Sequence, residues 1–140
     1  MPLSANAPIT DLKDFTRFKQ SVASGAIKIY KGAICNFNSS RFLKLGTDTA
    51  GELFAGIALE ELSQASGGSN GANKITLIPA KSGAIVELNL PSVAQGNLYA
   101  DAYVNGDDAV ALAATTSHDV RVGTIVGLSE VANKCFVKLD

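Results

Sequence analysis

Beyond Gly25 the chain is broken every few residues by Gly, Asn, Ser or Asp, and the runs between the breaks are strand-like. Nine such runs stand out: 26–37, 41–45, 53–62, 73–78, 84–90, 97–104, 109–113, 120–128 and 134–139. Several alternate by face, as in Ile27-Lys28-Ile29-Tyr30 and Lys134-Cys135-Phe136-Val137-Lys138. A period of two marks a strand with one buried side. Asn105-Gly106 between two runs predicts a tight hairpin, because both central residues of a type I′ turn need positive φ. Many short strands at regular spacing imply an all-β fold, either an antiparallel β-barrel or a jelly-roll-like sandwich.

The first 25 residues have a different texture. Residues 1–10 are small and polar with two prolines, which suits an extended arm. From Asp11 to Val22, Leu12, Phe15, Phe18 and Val22 recur at helical spacing with Lys and Arg between them. Thr10 or Asp11 could cap that segment and Ser24-Gly25 could end it. The spacing predicts a short amphipathic helix, with an arm that orders on a partner as the other reading. The expected organisation is an arm or helix over 1–25 and a β-barrel domain over 26–140. At 140 residues the chain is long enough for one real core.

Net charge of −1 hides an uneven distribution. Residues 1–44 carry seven Lys/Arg against Asp11 and Asp14, whereas the remainder carries five basic against eleven acidic groups. A basic leading part on an acidic body suits contact with an acidic partner surface, or simply a solvated face. Dispersed basic groups on such a body disfavour nucleic acid. No apolar run approaches the ~18 residues that span a bilayer, and no signal peptide is expected. Cys35 and Cys135 sit in apolar stretches and read as buried free thiols in a reducing compartment.

Ser66–Asn73 is rich in Gly, Ser and Asn and reads as a surface loop. A weak repeat is also visible. Leu43–Ser63 aligns without gaps on Val110–Glu130, matching Leu45, Thr49 and Gly56 to Leu112, Thr116 and Gly123. It is either a two-fold pseudo-repeat or two similar hairpins in one barrel.

The search for chemistry is negative. Ser117-His118-Asp119 has the letters of a catalytic triad, but consecutive residues do not place three side chains in the nucleophile–base–orienter line. One His and two distant Cys lack zinc-site spacing. Glu60-Glu61 would point to opposite faces of a strand, and Asp107-Asp108 follows a turn. The Gly-rich loop lacks the Gly-Lys-Ser/Thr ending of a P-loop. No catalytic residue, metal site or cofactor is expected, and the chain is read as a non-enzyme.

One resemblance brings these features together. Tyr30-Lys31-Gly32-Ala33, Asp48-Thr49-Ala50-Gly51 with Phe54-Ala55-Gly56-Ile57-Ala58, and Ser66-Gly67-Gly68 with Gly71-Ala72 follow in order. Ala109-Val110-Ala111-Leu112-Ala113 and Val120-Arg121-Val122-Gly123-Thr124-Ile125-Val126-Gly127 complete the series. Over residues 26–139 the chain resembles the capsid decoration, stabilisation or cement proteins of tailed bacteriophages.

The resemblance implies a compact β-module on the exterior of the virion, made in the bacterial host cytoplasm. Its partners would be the phage major capsid protein and itself, as a homodimer or homotrimer, with neither nucleic acid nor membrane. Leu12, Lys13, Phe15, Arg17, Phe18 and Lys19 are the candidate capsid contacts: apolar anchors with charge guides. The competing role for Leu12, Phe15 and Phe18 is to cover an open end of the barrel. The alternative function is a β-sandwich module that binds carbohydrate or a host surface.

Overall fold

A computed structural model describes residues 17–140. It contains twelve strands: β1 Phe18–Ser21, β2 Ile27–Ile29, β3 Ile34–Phe37, β4 Leu43–Leu45, β5 Leu53–Ala58 and β6 Leu62–Gln64. The rest are β7 Lys74–Pro79, β8 Ile85–Asn89, β9 Asp101–Val104, β10 Val110–Ala111, β11 Arg121–Leu128 and β12 Lys134–Lys138. A short 3-10 helix spans Gln95–Asn97. The all-β expectation is met, and the strand pairs are antiparallel. No helix among the described residues is long and apolar enough to cross a membrane.

The strands form two five-stranded sheets, ordered β1-β7-β5-β3-β4 and β10-β9-β11-β12-β8, with β2 and β6 as a separate ribbon. Each large sheet curls until its edges meet. Val22, directly after β1, makes a parallel bridge to Leu43 in β4, and Asn89 at the end of β8 bridges Ala109 beside β10. Closure of this kind shields edge hydrogen-bonding groups that would otherwise invite another chain.

The two sheets are the same design used twice, with β8, β12, β11, β9 and β10 taking the places of β1, β7, β5, β3 and β4. The correspondence holds at the level of register. Cys35 faces Gly56 and Asn36 faces Phe54, so Ala55 is bulged out. Ala102 faces Gly123 and Tyr103 faces Arg121, so Val122 is bulged out. The pseudo-repeat therefore extends beyond the aligned hairpins to the whole sheet. A clearer sequence mark of it is Ala72-Asn73-Lys74 recurring as Ala132-Asn133-Lys134 at the head of β7 and of β12. Only the first half carries the extra ribbon.

Alternation along the first sheet explains how the halves join. Cys35, Ala58, Ile75 and Leu77 point into the first core with Val22 and Leu43. Their neighbours Ile34, Ile57 and Ile78, with Phe54, point the other way into a core shared with Val86, Val104, Val122, Ile125 and Val137. Strands β3, β5 and β7 are thus apolar on both faces, which is why Ala-Ile-Cys, Gly-Ile-Ala and Leu-Ile-Pro read as unbroken apolar runs. Each buried Ile contributes about 2 kcal/mol. Cys35 and Cys135 lie in different cores as free thiols, and burial pushes them up to about 12 and about 11.

Three expectations need correction. The helix over 11–22 does not exist at Phe18–Val22: Phe18–Ser21 pairs with Leu77–Lys74 of β7. Phe18 and Val22 are four residues apart, a spacing that puts them on one face of a helix or of a strand equally well. The unpaired edge of β7 decides for strand, so β1 belongs to the barrel and not to an arm. Leu12, Phe15 and the rest of residues 1–16 lie outside the described residues.

Asn105-Gly106 does begin a hairpin, between β9 and β10. Neither residue has positive φ, however, and the connection is five residues long. Its tip is shaped by docking on the first half, where Ile34 N–H donates to the Asp107 carbonyl at 2.8 Å. Finally, the run 26–37 is two strands split by a turn at Tyr30–Ala33, and 53–62 is divided by the bend at Leu59–Glu61.

Candidate functional site

The described candidate contacts, Arg17, Phe18 and Lys19, sit at the start of β1. All three are exposed. Phe18 stands opposite Leu77 as Val86 stands opposite Val137 in the second sheet. Val86 is buried at that place, whereas Phe18 is 51% exposed. The ring therefore occupies a core register without being covered by the described residues. Lys19 lies close enough to Glu60 to help hold that carboxyl below its usual range, after the hydrogen bond from Thr76. Leu12, Lys13 and Phe15 lie outside the described residues.

Ser117-His118-Asp119 is a stitch between the halves. The Asp48 carboxylate accepts the backbone N–H groups of Ser117 at 2.7 Å and His118 at 2.9 Å. The His118 ring Nδ1 lies 3.0 Å from the Asp48 carbonyl oxygen. The Ser117 N–H, then the His118 N–H and ring, hold the Asp48 carboxyl below its usual range against partial burial. Asp119 instead accepts from Thr116 Oγ1 at 2.8 Å. Ser117 and His118 both bind Asp48, largely through backbone N–H groups, and Asp119 binds Thr116, so their letters do not assemble a relay.

The acidic pairs are likewise separated. Glu60 accepts the Thr76 N–H, while Glu61 pairs with Lys28 at 2.6 Å. Asp107 and Asp108 lie beside Tyr30, Lys31, Ile34 and Leu88 around an open groove of about 290 Å³. A second groove between the halves, about 470 Å³, is lined by Leu53, Phe54, Ala80 and Arg121 among others. The Arg121 guanidinium is tied to Asp101 at 3.1 Å and Asp140 at 2.9 Å. Among the described residues, no three His, Cys, Asp or Glu side chains gather to hold a metal ion.

A more closely built cluster surrounds Glu52. Its carboxylate accepts from Asn36 Nδ2 at 3.0 Å, Thr47 Oγ1 at 2.8 Å and Lys44 Nζ at 2.7 Å. Burial alone would raise its pKa, but these three donors together bring it below the usual carboxylate value. Asn36 also donates to the Thr47 carbonyl at 2.9 Å. This cluster straps the β4–β5 loop to β3 and β4, and its geometry is that of a structural tie.

Two exposed aromatics lie outside the sequence-based candidates, Tyr30 at 59% and Tyr99 at 78% exposure. The Lys28 ammonium sits 5.1 Å from the Tyr30 ring centroid, within cation–π range. Tyr99 carries no such partner group in its sequence neighbourhood, since Leu88–Ala100 contains no charge. Comparison with known proteins finds no matching family model and no matching curated sequence.

Proposed function

We propose that this chain is a structural virion protein, a decoration or cement protein that binds the outer surface of a tailed-phage capsid and bridges its major capsid subunits. The supporting observation is the tandem construction: two closed sheets share one apolar layer through Ile34, Phe54, Ile57 and Ile78. A load applied to one half passes into the other through packed side chains, and packed interiors are stiff. Three of the segments that carry the resemblance lie at the joints of this body. Asp48 stitches one loop to Ser117 and His118, Phe54–Ala58 lies in β5, and Val120–Gly127 runs along β11, against which β5 packs.

A capsid needs such a strut at the seams between subunits, where internal pressure from packed DNA acts. A stable clamp buries roughly 1,200–2,000 Å² in total. In this reading Leu12, Lys13, Phe15, Arg17, Phe18 and Lys19 are the capsid contacts, the last three of them at the start of β1. The proposal assigns the chain no reaction.

The test is co-sedimentation of the purified full chain with undecorated, expanded phage heads. Saturable binding at a fixed ratio to capsid subunits is expected. Failure to bind cognate heads at micromolar protein overturns the reading, and capture on a glycan array instead would make the chain a carbohydrate or host-surface module. A chain beginning at Arg17 tests the leading contacts apart from the barrel: unchanged Tm with lost head binding is expected. A cut after residue 24 is unsuitable for this purpose, because it removes β1 and the buried Val22.

A further inference from the structure

The strap around Glu52 holds three groups that can react with one another. Asn36 and Lys44 stand directly opposite each other on β3 and β4, so their side chains leave the sheet on the same face. Their neighbours Cys35, Leu43 and Leu45 turn the other way, into the first core. One carboxylate lies between the two side chains. Glu52 Oε1 accepts from Asn36 Nδ2 at 3.0 Å, and Oε2 accepts from Lys44 Nζ at 2.7 Å. An amine, a carboxamide and a carboxylate that touches both are thus gathered away from bulk water. The Glu52 side chain is 9% exposed, and Asn36 is fully buried.

Two observations indicate that the sheet does not itself require this grouping. In the second sheet the places of Asn36, Lys44 and Glu52 are taken by Tyr103, Ala111 and Asp119. The same design closes there with neither amide nor amine. The second observation is Asn36 Oδ1, which is buried without a hydrogen-bond partner among the described residues. A polar core residue kept only for support pairs its acceptor. The amide nitrogen, in contrast, is held twice, by the Thr47 carbonyl at 2.9 Å and by Glu52. In an exchange of one amide for another, that nitrogen is the leaving group.

We propose that Lys44 and Asn36 condense into an isopeptide bond between β3 and β4, with Glu52 carrying the protons. A deprotonated lysine amine is a nucleophile. Glu52 Oε2 takes a proton from the Lys44 ammonium, and the freed Nζ lone pair attacks Asn36 Cγ. The Nζ–Cγ bond forms and the Cγ–Nδ2 bond breaks. Glu52 passes two of the three ammonium protons to Nδ2, so an ammonium ion leaves and Glu52 ends as it began. The third proton stays on the new amide nitrogen. Atoms and charge balance with no further reactant. Nζ has to swing from Oε2 onto Cγ, which the flexible four-carbon stem of lysine allows. The resting carboxyl is held below its usual range, so taking up the proton is uphill and the reaction is slow. Proximity acts against that barrier, because groups fixed in one site react as if at very high concentration. Escape of ammonium then makes the step one-way. The newly folded chain carries the strap as an ion pair, and the covalent tie accumulates with age. It is a single event within the chain and does not rest on the capsid reading.

Mass spectrometry of the purified full chain tests it. After days of incubation the folded wild type is expected to lose the mass of one ammonia. Asn70-Gly71 and Asn105-Gly106 can also lose ammonia by ring closure, so the position of the loss decides. Trypsin should no longer cut after Lys44, and residues 32–41 should appear joined to residues 42–74 through Asn36 and Lys44. Lys44→Arg is expected to give no branched peptide. Glu52→Gln should form it at least about a hundredfold more slowly, as loss of a proton carrier requires. Wild type kept unfolded in urea should form none. Absence of the branched peptide from aged, folded wild type overturns the proposal, and this result needs neither variant to fold. Equal formation in urea, or in E52Q, overturns it as well.

Discussion

Gly56 and Gly123 occupy the same place in the two sheets, each on the bulged strand next to the bulged residue, opposite Cys35 and Ala102. A methyl group at Gly56 would overlap the Ile78 carbonyl oxygen, and one at Gly123 the Lys138 carbonyl oxygen. Backbone supplies the obstacle in both cases, so no side-chain rotation relieves it. Gly56 adds a φ of 150°, which L residues rarely adopt. Gly56→Ala and Gly123→Ala are each expected to cost about 3 kcal/mol or more, measured as a drop in the urea midpoint at constant m. Replacing Gly51, around which the space is open, removes no such contact but meets its positive φ of 80°. A milder loss of about 1 kcal/mol is expected there. The pairing of Gly56 with Gly123 was visible in the residue order alone. Tyr99, at φ 67°, was not legible as an outlier, because its strain depends on an angle that its neighbours Asn97, Leu98 and Ala100 do not announce.

At the scale of elements, the strap around Glu52 links three of them: Asn36 on β3, Lys44 on β4 and the loop that leads into β5. Because the folded-state pKa of Glu52 is depressed, its contribution is fully present above the unfolded value of about 4.3. It is lost as pH falls through the lower folded value. Glu52→Gln should therefore destabilise the chain by about 1–2 kcal/mol at neutral pH. The gap between variant and wild type should close as denaturation is repeated toward pH 3. A gap that stays constant with pH would show that shape, and not charge, carries the strap. Strands β5, β8, β11 and β12 are legible from their alternating or doubly apolar runs. The strand at Phe18–Ser21 is not, because its residues fit two periods and the deciding partner, β7, lies far along the chain. The Glu52 strap is equally hidden: Asn36, Lys44 and Thr47 are ordinary residues until the hairpin brings them together.

The described molecule has two large sheets but not two independent cores. Ile34, Phe54, Ile57 and Ile78 belong to the first sheet by hydrogen bonding and to the second core by packing. Ile57→Ala should thus cost about 3 kcal/mol and lower a single transition. Calorimetry is expected to give one peak with equal van't Hoff and calorimetric enthalpies, in the variant as in the wild type. Two separated peaks would mean that the halves melt independently. The duplicated closure also sets an order in time during synthesis. Strand β1 is made first in the described chain, yet its partner β7 begins only at Lys74, roughly fifty residues later, or several seconds at translation rates. When β7 arrives the first sheet can close, but its outward isoleucines stay bare until the second half is made and pairs β8 with β12 in the same delayed way. A nascent chain paused between the two closures presents a finished barrel with a sticky flank, and that is the stage at which a chaperone would hold it.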